Sequence, residues 1–303
     1  MGHTVGFIGL GLMGGAIAQQ YIAAGHKPIV FDLSETLVEH FVAQGAEGAT
    51  SPRDVADRAS VVVACLPSPS ASRKVAFEED GVCFGRAVRI YIETSTIGVK
   101  ACQDIERRMA EKNIRMVDAP VSGGPRAAAK GALTSMVSTA PGTWLEVADI
   151  IKAYSGKAYV VGDKPGLAQA CKLVNNAMSL TTLALACETA VFGVASGLDA
   201  RTMIDVINVS SGRSAATTDK FPESVLTRSF DYGASMRTAA KDLELFVQEA
   251  QALGMDVSGT SFVADIWKRA ARTGDPERDF TALIQQFEAP LGVLVGAPRE
   301  DAS

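Results

Sequence analysis

The chain opens with short apolar runs set between stretches of helical spacing. Residues 5–8 are an unbroken apolar run, which reads as a strand buried on both faces. Glycines 9, 11 and 14 follow, and residues 16–24 then carry helical spacing until Gly25 and His26 break it. Residues 28–31 read as a second strand, ending at Asp32. A helix over 35–44 stops at Gly45, and Ser51 with Pro52 opens another, serine as cap and proline in the first position. Residues 60–66 form a further apolar strand that Pro67, Ser68 and Pro69 end. Strands over 88–93 and 115–118 flank a helix over 98–112 with a charged face. Strands over 133–137 and 158–161 flank a helix over 142–153. This alternation predicts an α/β unit with a doubly wound, mainly parallel sheet, the Rossmann arrangement.

The pattern changes at 162–166, and beyond it no strand is predicted. Residues 166–196 read as one very long helix, followed by shorter helices to about 287 and a frayed tail over 297–303. The expectation is therefore a Rossmann domain over 1–164 and an all-helical domain over 165–296, joined by the long helix. That helix is too apolar all round to stand free in water, so it should be the spine of its domain and pack on a partner subunit. Residues 177–197 include Glu188 and several Ser and Thr, which suits a helix buried in protein better than a membrane span.

Composition narrows the function. A net charge of −5 over 303 residues, with no block of like charge, argues against a nucleic-acid surface. The five cysteines, Cys65, Cys83, Cys102, Cys171 and Cys187, lack C-x-x-C spacing and read as reduced thiols of a cytoplasmic protein. The N-terminus enters a strand without a basic region or cleavage site, so no signal peptide is expected. Gly6 stands where a myristoylation signal needs Ser or Thr. The three histidines, His3, His26 and His40, all lie in the first strand–helix units, so proton chemistry elsewhere must use Lys, Tyr, Asp, Glu or Cys. No metal site is expected.

Gly9, Leu10, Gly11, Leu12, Met13 and Gly14 make a G-x-G-x-x-G turn between a strand and a helix. Gly9 permits the tight turn, Gly11 lets a pyrophosphate approach the backbone, and Gly14 lets helix and strand pack closely. Asp32 lies where a carboxylate accepts hydrogen bonds from the adenosine ribose. A 2′-phosphate would meet that negative charge, and Leu33 and Ser34 provide no arginine for it, so the expected cofactor is NAD rather than NADP.

Lys172 and Asn176 are spaced i, i+4 and share one face of the long helix. Desolvation and the nearby positive helix terminus favour the neutral amine, which suits proton exchange with a hydroxyl. The same spacing also fits a lysine snorkelling from a packed helix. Ser122, Gly123 and Gly124 follow a strand and can open consecutive N–H groups to a carboxylate, or can be an ordinary loop. Lys241 and Asp242 lie mid-helix, a placement as suited to a solvated face as to a site.

Taken together, these segments resemble the β-hydroxyacid dehydrogenase family, of the 3-hydroxyisobutyrate dehydrogenase type. The resemblance covers nearly the whole chain. It rests on 6–14 (Gly-Phe-Ile-Gly-Leu-Gly-Leu-Met-Gly), 118–124 (Asp-Ala-Pro-Val-Ser-Gly-Gly), 166–176 (Gly-Leu-Ala-Gln-Ala-Cys-Lys-Leu-Val-Asn-Asn), 210–214 (Ser-Ser-Gly-Arg-Ser) and 241–243 (Lys-Asp-Leu). It implies hydride transfer between NAD and the 3-hydroxyl of a small 3-hydroxy acid in a cleft between the domains, in a homodimer or homotetramer built on the long helix. Lys172 would be the acid/base and Asn176 would help place the substrate. Ser122, Gly123 and Gly124 would hold its carboxylate, and Leu66, Pro67, Thr96 and Lys241 would touch the cofactor. One departure is Ala215, where the family often has a bulky Trp. It implies a wider pocket, with Arg213 and Arg237 either meeting a polar substrate tail or serving as surface charges. Threonate, tartronate semialdehyde and sulfonate substrates stay open. Imine reductases share the architecture but typically lack the lysine. A non-catalytic dinucleotide-binding scaffold is the remaining alternative, against which the presence of both Lys172 and the 122–124 loop argues.

Overall fold

The computed structural model of the chain describes residues 3–296. It divides into two compact units, Met1–Leu173 and Val174–Ser303. The expected frayed tail, 297–303, lies outside the described residues.

The first unit is built on one nine-stranded sheet. Its strands are β1 (Val5–Ile8), β2 (Ile29–Phe31), β3 (Glu47–Gly48), β4 (Val61–Ala64), β5 (Ile90–Glu93), β6 (Arg115–Asp118), β7 (Val121–Ser122), β8 (Leu133–Ser138) and β9 (Ser155–Gly162). The order is β3-β2-β1-β4-β5-β6-β8-β7, with β9 also on β8. All pairs from β3 to β6 are parallel, β8 runs antiparallel to β6 and β7, and β9 is parallel to β8. The chain leaves β1 to one side for β2 and β3, then crosses to β4 on the other. Such a reversal opens a crevice at the strand ends.

The unbroken apolar runs have a simple cause. Phe7, Val61, Val63, Ile90 and Ile92 enter the core on one face of the sheet, and Ile8, Val62, Ala64 and Tyr91 enter the core on the other. A strand covered on both sides has no polar face to alternate with.

The helices of this unit are α1 (Leu12–Ala23), α2 (Glu35–Val42), α3 (Pro52–Arg58), α4 (Pro69–Phe77), α5 (Val99–Ala110), α6 (Gly124–Ala128) and α7 (Pro141–Lys152). Three differ from the pattern-based reading, among them α6, whose five residues are too few for periodicity to reveal. α1 begins at Leu12 rather than near residue 16, because Gly14 and Gly15, poor helix formers by propensity, are buried within it. α4 was not expected at all. Ser68 and Pro69, part of the segment that ends β4, also start it: the Ser68 hydroxyl accepts the Ala71 N–H at 3.1 Å and proline occupies the first turn. β3 and β7, two residues each, are too short for periodicity to reveal.

α8 (Leu167–Ala195) begins in the first unit and continues into the second. α9 (Ala200–Asn208), a π-helical segment over Ala216–Val225 that contains Pro222, α10 (Met236–Ala252), α11 (Ser258–Thr273) and α12 (Ile284–Glu288) complete the second unit. Among its described residues no strand forms, only an isolated bridge between Ser235 and Asp279. Its core gathers Leu183, Cys187, Phe221, Trp267 and Leu283, all without solvent contact. The Trp267 indole donates to the Leu180 carbonyl at 3.2 Å, so the core's largest side chain leaves no polar atom unpaired. Among the described residues α8 alone is long and apolar enough to cross a membrane, yet Leu180, Leu183, Ala184, Cys187, Ala190 and Val191 belong to this core. Leu167, Val174, Met178, Leu185 and Phe192 are its large exposed apolar residues.

Candidate active site

The turn between β1 and α1 needs its glycines for distinct reasons. Gly9 has φ +89°, and a Cβ there would lie 2.3 Å from the Cys65 carbonyl. At Gly14 a Cβ would lie 2.0 Å from the Gly9 carbonyl and 3.0 Å from the Cys65 side chain. Gly11 is different: a Cβ there would meet no protein atom within 4 Å. Nothing in the fold requires glycine at 11, which is what a position reserved for close approach of a ligand looks like. No side chain caps the α1 N-terminus and no acid lies in its first turn, so its N–H groups and dipole suit an anion. Leu12 is exposed, Met13 half-buried and Leu10 buried.

Asp32, just after β2, is tied to this turn. Its Oδ2 accepts the Leu10 N–H at 2.7 Å and its Oδ1 accepts the Ser34 N–H at 2.9 Å. The carboxylate thus holds the glycine turn while remaining half-buried, with lone pairs left for a ribose. Leu33, beside it, is almost fully exposed and brings no charge. An organic dinucleotide fits these residues.

A second cluster lies at the ends of β4, β5 and β6. The Leu66 N–H donates to Ser95 Oγ at 2.7 Å, and the Ser95 N–H donates to Glu93 Oε1 at 3.1 Å. Glu93 also accepts from the Tyr91 hydroxyl at 3.2 Å. Burial pushes the Glu93 carboxyl up to about 7, against the pull of its Ser95 hydrogen bonds. Pro67 is exposed and Thr96 half-buried.

Gln169, in the first turn of α8, is fully buried and joins this cluster to β6. Its Oε1 accepts the N–H groups of Ile97 and Gly98 at 2.8 and 3.1 Å. Its Nε2 donates to the Ser95 carbonyl at 3.0 Å and to Asp118 Oδ1 at 2.9 Å. Asp118 Oδ2 in turn accepts the N–H groups of Gly166 and Gln169 at 2.9 and 3.2 Å. Burial raises the Asp118 carboxyl, opposed by the Gln169 and Gly166 hydrogen bonds.

Lys172 stands one turn beyond Gln169, with only 8% of its surface exposed. Ser122 ends the short strand β7, Gly123 and Gly124 have φ of +123° and +68°, and α6 follows at once. Gly123 is required locally, since a Cβ would lie 2.7 Å from the Ala127 methyl, whereas at Gly124 it would meet nothing within 4 Å. Gly9, Leu10, Gly11, Leu12, Met13, Gly14, Asp32, Leu66, Pro67, Thr96, Ser122, Gly123, Gly124 and Lys172 all belong to the first unit.

Asn176 and Lys241 belong to the second unit, and Asp242 links them. The Asn176 amide donates to Asp242 Oδ2 at 2.7 Å, and Lys241 Nζ lies 2.9 Å from Asp242 Oδ1. Asp242 is buried, so the Lys241–Asp242 pair is no solvated surface pair. Ala215 and Arg213 are exposed, and Arg237 is ion-paired with Glu277 at the surface, which supports its reading as a surface charge.

Asp118, Gln169, Glu93, Ser95 and Asp242 were missed as site components from sequence alone. Asp118, Gln169 and Asp242 do fall inside the motif segments 118–124, 166–176 and 241–243, whereas Glu93 and Ser95 are signalled only by polar side chains next to an apolar strand. Among the described residues, no three of His, Cys, Asp and Glu gather as metal ligands would.

Comparison with known proteins identifies the family. The family model described as "NAD binding domain of 6-phosphogluconate dehydrogenase" matches residues 4–162. That described as "NAD-binding of NADP-dependent 3-hydroxyisobutyrate dehydrogenase" matches residues 166–287. The chain is 31% identical to 2-(hydroxymethyl)glutarate dehydrogenase of Eubacterium barkeri, over 96% of this chain and 97% of that protein. It is 30% identical to NAD-dependent L-serine dehydrogenase of Pseudomonas aeruginosa, over 95% and 99%. The solved structure of 3-hydroxyisobutyrate dehydrogenase of Mycobacterium tuberculosis with L-serine superposes with a TM-score of 0.86 at 28% identity, covering 94% of this chain and 99% of that one.

Proposed function

The chain belongs to the β-hydroxyacid dehydrogenase family, and from that membership we propose that it oxidises the 3-hydroxyl of a small 3-hydroxy acid with NAD, using Lys172 as acid/base. Its class is that of a nicotinamide-dependent oxidoreductase acting on hydroxy acids. L-Serine, 3-hydroxyisobutyrate and 2-(hydroxymethyl)glutarate, named for its relatives, share a hydroxymethyl group one carbon from a carboxylate. That shared unit is the substrate we assign, and a sulfonate in place of the carboxylate is the variant to test beside it.

The observation that carries the reading is the Gln169 junction. It links the helix turn that precedes Lys172 to the loop bearing Thr96 and to the strand leading to Ser122. Bound at Gly9–Gly14 and Asp32, NAD supplies the hydride acceptor. The chain's own residues do the rest. The Ser122 hydroxyl and the 122–124 backbone bind the carboxylate. Asn176, oriented by Asp242, donates to the substrate or accepts from it. Lys172, as the neutral amine, takes the hydroxyl proton as the carbinol carbon is oxidised. Orientation and proton transfer supply the acceleration. Asp32 favours NAD by repelling a 2′-phosphate. The NADP in the second family description attaches to residues 166–287, which do not include that carboxylate.

A homodimer or homotetramer formed through α8 accounts for the exposed Val174, Met178, Leu185 and Phe192 along it. Five free thiols fit a reducing, cytoplasmic setting.

The test is a screen of NAD reduction with 3-hydroxy acids, sugar acids and hydroxysulfonates, run with wild type and Lys172→Ala. The expected result is turnover of a 3-hydroxy acid, faster at alkaline pH, lost about 10²–10⁴-fold in the variant while NADH binding persists. Undiminished turnover in Lys172→Ala would rule out the assigned role. Light scattering of wild type and Phe192→Glu reads the oligomer, and a monomeric wild type would remove that part.

A further inference from the structure

We infer that Gln169 and Asp118 are positioning residues for the reaction, fixing the turn that carries Lys172 against the loop that carries Thr96. The inference rests on Lys172 being the acid/base.

A side-chain amide has two acceptor sites and two donors. Gln169 uses all four, three on the loop around Thr96 and one on the end of β6. Ile97 and Gly98 follow Thr96 directly and give their N–H groups to Oε1 at 2.8 and 3.1 Å. Ser95, which takes Nε2 at 3.0 Å, precedes Thr96 and also receives the Leu66 N–H. Asp118, which takes the other Nε2 proton at 2.9 Å, ends β6 and begins the segment leading to Ser122.

The start of α8 depends on the same pair. Gly166 enters the helix with φ +95°, and the residues before Leu167 are Asp163, Lys164, Pro165 and Gly166, with no Ser, Thr, Asp or Asn in the capping position. The capping acceptor comes from elsewhere: Asp118 Oδ2 takes the N–H groups of Gly166 and Gln169. The first turn of α8 is thus held by a strand end rather than by its own sequence. Lys172 is three residues beyond Gln169, on the next turn, so displacement of this turn moves the amine with it. A misplacement of about 1 Å can cost about 10²-fold in rate. Two other titratable groups adjoin the pair: Cys102, hydrogen-bonded to Asp118, and Glu93, hydrogen-bonded to Ser95.

A residue that only stabilises the fold would lower the amount of active enzyme. A positioning residue changes what the remaining enzyme does. The experiment measures kcat, KM and their pH dependence per titrated active site, with amide hydrogen exchange of the cofactor-free protein, in wild type, Gln169→Leu, Gln169→Glu, Asp118→Asn and the double variant Asp118→Asn/Gln169→Glu. Gln169→Leu should lower kcat about tenfold to a hundredfold and move the limb of the pH profile that reports Lys172 by about half a unit or more. It should also speed exchange at Ile97 and Gly98. Gln169→Glu sets two carboxylates face to face and should lose activity as pH rises. The double variant exchanges amide and carboxylate across the pair and should recover part of the loss, a coupling read directly from the cycle.

Folded single variants with wild-type kcat and pH profile would overturn the inference, as would a loss of active fraction alone with the profile unmoved. A folded double variant with no recovery counts against it equally. Should the single variants fail to fold, fast exchange at Ile97 and Gly98 in the wild type decides against it. Lys172→Ala measured alongside separates the two readings. If it keeps its turnover, the role of the lysine falls. If it is inactive while Gln169→Leu behaves as wild type, only the positioning role falls.

Discussion

The side-chain amide of Asn176 donates to Oδ2 of Asp242 at 2.7 Å, across 66 residues of sequence. The bond fixes the orientation of the amide. It also places a buried carboxylate beside Lys241, whose ammonium is 2.9 Å from the other oxygen. Removing Asp242 should therefore disturb both neighbours. We expect Asp242→Ala to raise the KM for the hydroxy acid more than it lowers kcat, with a stability loss of about 1–3 kcal/mol from the lost contacts to Asn176 and Lys241. Steady-state kinetics and thermal melts check this, and an unchanged KM would argue that Asn176 does not meet the substrate.

Asp32 braces Leu10 and is the carboxylate we assign to the ribose, so on that assignment cofactor selectivity cannot be altered without cost to the turn. Asp32→Ala with Leu33→Arg should shift preference toward NADP by removing the repelling charge and adding a cation at an exposed position. It should also lower the melting temperature. Selectivity is read from the ratio of kcat/KM for the two cofactors, and a ratio that does not move would place the 2′-hydroxyl elsewhere.

Glu93 gives a pH signature. The native carboxyl holds its proton up to about pH 7, whereas its ordinary value is 4.5. Between these values the native state binds more protons than the unfolded chain, so stability falls as pH rises. The loss attributable to this group is on the order of 2–3 kcal/mol across that window. Glu93→Gln should flatten the stability–pH curve over it. Asp118, also raised by burial, leaves a residual slope of the same sign. Urea melts from pH 4 to 8 measure this, and parallel curves for the two proteins would contradict it.

Gly14→Ala tests the glycine turn on packing alone. Its Cβ would stand 2.0 Å from the Gly9 carbonyl, so backbone must move and both stability and cofactor affinity should drop. Gly11→Ala meets no protein atom within 4 Å, so it should leave stability near wild type and weaken only cofactor binding. Calorimetric melts with NADH titrations distinguish them. Equal destabilisation by both substitutions would refute the separate roles.

Much of the architecture was legible because its determinants are local. Residues 5–8, 60–66 and 88–93 announce strands covered on both faces, the glycine spacing announces the turn, and the length and apolarity of α8 announce a core helix. Where a local rule met a tertiary exception, the reading slipped. Gly14 and Gly15 lie inside α1 because close packing against the turn outweighs their poor propensity. Ser68 and Pro69 end one element and begin the next.

The site divides along the same line. Order along the chain was enough to single out Gly9, Gly11, Gly14, Asp32, Lys172 and the 122–124 loop as candidates, since each stands in a motif. Glu93 lies outside those motifs, and Asp118, Gln169 and Asp242 lie inside them without showing their roles, since each meets a partner up to 74 residues away. Periodicity and propensity report what a residue does to its neighbours within a turn or a strand. Which buried polar atoms find one another depends on how sheet and helices pack, and only the folded chain settles that.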